Sequence, residues 1–279
     1  MLQSGKSQLR VRHGGFLRGV DCFDAALFGI TGAEAELMDP QQRLLMEVTW
    51  EVVQHSSLAA SSTSSSAAGG ASPSAPPETG VYVGIQQMEY GGLVAPHLHS
   101  IGPFSATGGS FSVAAGRLSF TYGYKGPAVS IDTACSSALV ATHQGVLQLR
   151  GRPQHGVLTA GVNLVLSEAT TAAAQAAGML TADGRCKTLD ASADGYVRAE
   201  ACTAFFLTAA GAESAGPAAS AVFLRATYVN QDGRSSSLTA PNGPSQQAVI
   251  RGALQAASLQ PHSVGALEMH GTGAPGWHA

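Results

Sequence analysis

Cys135 stands in Asp-Thr-Ala-Cys-Ser-Ser-Ala-Leu (132–139), where the apolar run PAVSID gives way to the helix-forming SSALVATHQGVLQLRG. A strand turning straight into a helix there would leave the sulfur on an exposed elbow. Unpaired N–H groups and the positive end of a helix dipole would then favour the thiolate, the form that attacks carbonyl carbon. The small flanks Ala134, Ser136 and Ala138 leave room for a sharp turn and for close approach of a substrate. A lone cysteine among alanines is also a common core filler, and by position alone both readings stand.

Other side chains carry the same double reading. His270 closes the apolar run SVGALEMH (263–270) and opens His-Gly-Thr-Gly, a placement suited to a proton donor or to an ordinary structural histidine. Glu200 follows Arg198 in Tyr-Val-Arg-Ala-Glu, so a loop ion pair between them is the structural alternative to a role in a site. Asn230, Asp232, Asn242 and Gly243 lie in NQDGRSSSLTAPNG, and Asx-turn chemistry accounts for those residue types without a ligand. His143 falls two turns into the helix after Cys135, where packing is its expected role. His97 and His99 form an HxH pair, but no third ligand is spaced to complete a site, so no metal and no cofactor are assigned.

The elements that must position these residues can be read from periodicity. Asp39 is placed to cap a helix starting at Pro40, with Gln42 completing a capping box, and the helix should run to about His55. Its Leu44, Leu45, Val48 and Val52 share one face. Residues 56–79 are a Ser/Ala-rich stretch with no apolar periodicity, expected to be a disordered insertion. VYVGI (81–85), PAVSID (127–132) and VLTAGVNLVL (157–166) read as strands, and a helix is expected between Phe104 and Tyr124 around AAGRLSF. Helices are expected over 136–151, in ATTAAAQAAGM, and from Pro244. CTAFFLTA (202–209) and AVFLRATYVN (221–230) should form a hairpin, with SVGALEMH as a last strand. This alternation describes an α/β fold with helices on a mixed sheet.

Composition excludes several classes. Of 279 residues, 44% are hydrophobic and 12% charged, with a net charge of −3 and no basic blocks, so a nucleic-acid surface is not indicated. Cys22, Cys135, Cys186 and Cys202 make no CxxC pair, against a zinc ribbon or disulfide scaffold. No stretch approaches the ~20 apolar residues of a membrane span, and the N-terminus lacks a signal peptide. A soluble, cytoplasmic protein is the expectation, with a plastid location the alternative if a targeting segment precedes residue 1.

DTACSSALVATHQGVLQLRGR resembles the nucleophile segment of β-ketoacyl synthases, especially those of polyketide synthases and related fatty acid synthases. FLRGVDCFDAALFGI, MDPQQRLLMEVTWEVV, AGVNLVLS, GMLTADGRCKTLDASADGYVRAEAC, VNQDGRSSSLTAPNGPSQQAVIRGAL and EMHGTG are similar to further segments of that family, in the same order. The resemblance implies a thiolase-like layered α/β/α fold, mostly its first half plus the start of the second, and a homodimer. It implies 1–55 as the N-terminal part of the domain, 80–230 as the nucleophile-bearing core and 231–279 as the start of the C-terminal half. It also implies a partner, acyl carrier protein, whose phosphopantetheine arm delivers acyl and malonyl thioesters.

On this resemblance Cys135 is the acyl-bearing nucleophile and His270 is one of two histidines that assist decarboxylative condensation. Glu200, Thr272 and Asn242 are channel-lining or supporting residues. The family pattern also departs from this sequence. An earlier strand precedes the point matching residue 1, and His-Gly-Thr-Gly-Thr is usual where Gly-Ala-Pro-Gly follows Thr272 here. The second histidine, a lysine and a glycine-rich oxyanion turn belong to a later half, and Ala199 and Ala201 stand where glycines are usual. Two classes of function follow: an acyl-transferring condensing enzyme, impaired as this stretch alone, or a non-catalytic remnant that keeps dimer and carrier contacts. A thiolase is a third, weaker alternative.

Overall fold

The computed structural model describes residues 9–61, 78–87, 89–97, 102–209, 222–237 and 240–273. Helices α1 (Gly32–Leu37) and α2 (Pro40–Ser61) precede strand β1 (Gly80–Ile85) and the short helices α3 (Tyr90–Val94) and α4 (Ser105–Gly108). Then come α5 (Phe111–Tyr122), β2 (Ala128–Ile131), α6 (Ser137–Gly151), β3 (Val157–Asn163), α7 (Glu168–Ala176), β4 (Ala201–Leu207) and α8 (Gly243–Ala257). The four strands make one sheet in the order β2-β1-β3-β4, parallel across β2-β1-β3, with β4 antiparallel to β3.

The central strands β1 and β3 are apolar almost throughout because helices cover both faces. Val81, Val83 and Ile85 point into a core with Leu45, Met46 and Val53 of α2 and Ala114, Ala115 and Leu118 of α5. Tyr82, one residue out of phase, faces Ala141 and Leu149 of α6. The result is the expected α/β/α layering. α6 lies close on the sheet because three glycines remove side chains at their contact. A Cβ on Gly84 would come within 2.4 Å of the Ala138 nitrogen, one on Gly161 within 2.5 Å of the Ala138 methyl, and one on Gly145 within 2.6 Å of Val157.

Several expectations need correction. The Asp39 side chain does cap α2, accepting from the Gln41 amide at 2.8 Å, but Gln42 completes no box with it. Gln42 donates instead to the Gly108 carbonyl (2.9 Å) and accepts from Arg117 Nε (2.9 Å), and the Asp39 amide donates to Gly108 O (2.8 Å). The cap thereby staples α2 to the segment before α5. α2 also continues past His55 to Ser61, since the sequence there extends an established helix without a breaker. Residues 62–77 of the Ser/Ala-rich stretch lie outside the described residues.

The hairpin is not formed. β4 pairs along its whole length with β3, from Val157↔Leu207 to Asn163↔Ala201, and sets Cys202, Ala204 and Phe206 on the core. Residues 222–230 run without strand pairing, with Val222 almost fully exposed. They are gripped by side chains instead. His143 Nδ1 meets Thr227 Oγ1 at 2.8 Å, and the ring of Tyr228 fills the space beside Gly252 of α8. SVGALEMH likewise forms no strand, and Leu267 and Met269 are exposed. An apolar run becomes a strand only when an edge is there to receive its N–H and C=O groups, and none of the described edges does so.

Candidate active site

The segment 131–137 is an elbow built by short polar side chains. Asp132 accepts from the Ala134 amide at 2.9 Å, and Ala134 takes a left-handed conformation, φ 57°. Ser137 Oγ donates to Ala134 O (2.6 Å) and accepts from the Thr133 amide (2.9 Å), while Ser136 Oγ donates to Thr133 O (2.9 Å). A non-glycine residue with positive φ persists only when its surroundings over-determine it. Here the flanking carboxylate and hydroxyls do so. Cys135 is carried at the crest, exposed, immediately before the α6 N-cap Ser136. Among the described residues the amides of Cys135 and Ser136 have no hydrogen-bond partner, so they are free to meet a developing oxyanion.

Tyr196 stands beside this crest. Burial raises its hydroxyl pKa, Arg198 opposes that rise, and the nearby Cys135 adds to it. Tyr196 also closes the neck of the loop that follows α7. Its amide donates to Met179 O (3.0 Å) and its carbonyl accepts from the Thr181 amide (3.1 Å). Within that loop Lys187 bridges Asp183 (3.0 Å) and Asp194 (2.7 Å). Hydrogen bonds from Thr181 and Lys187 hold the Asp183 carboxyl down to about 2. Asp194 is lowered by hydrogen bonds from Lys187 and Thr181, and Lys187 is raised in return.

The His-Gly-Thr-Gly turn docks on this loop. Thr188 Oγ1 donates to Gly271 O at 2.6 Å, and the Gly195 amide donates to Gly273 O at 2.9 Å. Gly271 and Gly273 both have φ 60°, and a Cβ on Gly273 would lie 2.2 Å from Cys186 O, so glycine is required there. Thr272 is partly buried between them, and His270 is exposed. Cys135 and His270 make no direct contact among the described bonds. Their link runs through the loop after α7, where Tyr196 feels the charge of Cys135 and the neighbouring Gly195 holds the turn after His270.

Glu200 is placed differently from the expected pairing with Arg198. Its carboxylate accepts the Leu17 amide (2.8 Å) and the Val165 amide (2.9 Å), tying the N-terminal segment to the end of β3. Ala199 fits beside it because its methyl faces Gly15, which has no side chain. Arg198 instead donates to Thr170 and Thr171, both at 2.7 Å, and approaches Glu89 at 3.9 Å. Glu89, in the loop after β1, is nearly solvent-free and also accepts from the Leu166 and Ser167 amides, at 2.6 Å each, and from Thr170 Oγ1. Only the bare acid in a glycine-rich stretch marked it in the sequence. Asn242 caps α8 through the Ser245 amide (3.1 Å) and donates to Asp232 O (3.3 Å), a structural clasp separate from the elbow.

Cys22 is exposed like Cys135, but Cys186 and Cys202 are partly buried. Cys202 is packed on the core, and burial pushes its thiol up to about 12. His97 ends a single helical turn, His99 lies outside the described residues, and no cluster of three metal-ligating side chains occurs among those described. No described helix is long and apolar enough to cross a membrane. Among the described residues, a cavity of about 190 Å³ lined by Arg12, His13 and Arg198 and another of about 410 Å³ lined by Phe104, Arg117 and Phe120 both lie away from Cys135, which lines neither.

Comparison with known proteins agrees with this arrangement. The family model for the beta-ketoacyl synthase N-terminal domain matches residues 3–237, and that for the C-terminal domain matches 221–276. A phenolphthiocerol/phthiocerol polyketide synthase of Mycobacterium tuberculosis is 41% identical over 94% of this chain. A mycocerosic acid synthase-like polyketide synthase of Mycolicibacterium smegmatis is 39% identical over 94%. The chain spans 13% and 12% of those proteins, respectively. The ketosynthase from module 6 of the bacillaene synthase of Bacillus subtilis 168 superposes with a TM-score of 0.78 at 32% identity, covering 92% of this chain and 42% of that one. An oxazolomycin ketosynthase domain from Streptomyces albus JA3453 gives 0.80 at 31%, covering 94% and 44%. With its thiolase-like sheet, its cysteine elbow and these matches, the chain belongs to the β-ketoacyl synthase family and is similar to the ketosynthase domains of polyketide synthases.

Proposed function

We propose that this chain forms the acyl-accepting part of a ketosynthase that condenses an acyl group with a malonyl unit, both delivered by acyl carrier protein. The observation that carries this reading is the exposed Cys135 on a strained elbow beside unbonded amides. The Cys135 thiolate attacks the carrier thioester carbonyl, and the negative charge that moves to oxygen is met by the Cys135 and Ser136 amides. Collapse of that adduct expels the carrier thiolate, which takes up a proton, and leaves the acyl group on sulfur. In the second half-reaction the malonyl carrier loses CO2. His270 donates to its thioester carbonyl as enolate charge develops, the enolate carbon attacks the Cys135 acyl carbonyl, and the C–S bond breaks to free Cys135.

The supporting residues hold this geometry without touching the reacting atoms: Glu200 and Asn242 fix loops, and Thr272 lies in the turn after His270. The edge strand β2, with Ala128 and Val129 exposed, supports a homodimer formed by strand pairing. The absence of a long apolar helix among the described residues is compatible with work in the cytoplasm.

The test offers an acyl-loaded carrier to the purified chain and follows carrier thiol release. Stoichiometric release that depends on Cys135 supports transfer. Carrier binding without thiol release would favour a non-catalytic module and overturn the reading.

A further inference from the structure

The loop between α7 and β4 is closed at its neck by the Leu180–Tyr196 pairing and at its far end by one cation. Lys187, with φ 45°, sits in a backbone conformation that a lysine rarely adopts, and its side chain is mostly buried. Its ammonium reaches Asp183 on the outgoing arm and Asp194 on the returning arm. The groups that grip the 271–273 turn all lie one residue from these ion-pair members. Cys186 O packs on Gly273, Thr188 Oγ1 bonds Gly271 O, and the Gly195 amide bonds Gly273 O. A shift of Lys187 or Asp194 therefore moves the support of His270, while the Cys135 elbow is held by its own hydroxyl web.

We propose that Lys187 is a positioning residue for His270, fixing the turn that follows it through its two ion pairs. The assignment rests on His270 being the histidine that meets the malonyl carbonyl, but the clamp itself can be read without turnover. Isotope-labelled histidine, with His270 identified from the His270→Gln spectrum, reports the imidazole, and amide exchange at Gly195 reports the grip. In Lys187→Met the His270 resonance should move or broaden and Gly195 exchange should speed about tenfold. In Lys187→Arg, whose guanidinium can span both carboxylates, both should return to within about twofold of the parent. Cys135 acylation should hold in both, and the melting temperature of Lys187→Met should fall only by the small amount that two solvent-near ion pairs contribute, which separates positioning from general loss of structure.

An unchanged His270 resonance with unchanged Gly195 exchange in Lys187→Met would overturn the proposal, as would failure of arginine to restore either. Should Lys187→Met not fold, Asp194→Asn, which removes the shorter ion pair alone, decides on the same two readouts. Failure of the parent chain to acylate at all would sink the proposed function and leave these readouts standing.

Discussion

Gly84 of β1 and Gly161 of β3 are register partners, and a side chain on either would strike Ala138 of α6. This bare patch lets the first turn of α6 lie on the sheet, and the position of that turn sets the height of Cys135. Gly84→Ala places its methyl against the Ser137 and Ala138 backbone, which has no rotamer with which to yield. It should cost about 1–3 kcal/mol and slow Cys135 acylation. Gly161→Ala meets chiefly the Ala138 methyl and should be milder in both. Denaturant midpoints and acylation rates of the pair check the order, and a Gly84→Ala as stable and reactive as the parent would refute it.

Glu200 links the N-terminal segment to the end of β3 through two amides. In Glu200→Ala the Leu17 and Val165 amides lose their acceptor, at a cost of about 1–3 kcal/mol where they stay out of water. Glu200→Gln keeps one acceptor oxygen and should recover part of the loss. Limited proteolysis near residue 17 together with chemical denaturation tests this. Equal protection in all three proteins would show that the carboxylate is not a tether.

The Asp183–Lys187–Asp194 network has a defined pH signature. The Asp183 carboxyl is held at about 2 in the fold, against about 3.9 in an unfolded chain. Its contribution is therefore complete above about pH 4 and is lost as pH falls toward 2. Lys187, raised in the fold, contributes below its unfolded value and loses that contribution in strong alkali. Thermal melts from pH 5 to 2 should fall more steeply in the parent than in Asp183→Asn. Parallel curves would contradict the network.

Periodicity made most of the elements legible. The elbow could be read because alanine and serine around Cys135 leave little else for such a junction to be. The runs 222–230 and 264–270 misled for the opposite reason: apolar content marks an extended segment, but only a partner edge makes it a strand. The Arg198–Glu200 pairing failed because adjacency in sequence does not show that Glu200 faces Leu17 and Val165 while Arg198 faces α7. Glu89 and Lys187 depend on contacts between separate segments, which no local pattern records.

Under the proposed function, condensation should separate from acylation at His270. Loss of one oxyanion donor typically costs ~100- to 1000-fold, so His270→Ala should slow CO2 release from malonyl carrier by about that factor while acylation of Cys135 stays within about twofold of the parent. Equal losses in both half-reactions, or no loss of CO2 release, would contradict the role given to His270.

The most direct test of the central claim is the mass of the chain after incubation with an acyl-thioester donor. One acyl group should appear, peptide mapping should place it on Cys135 rather than on exposed Cys22 or core-packed Cys202, and Cys135→Ala should carry none. An adduct that survives Cys135→Ala, or no adduct on a folded chain, would contradict the account.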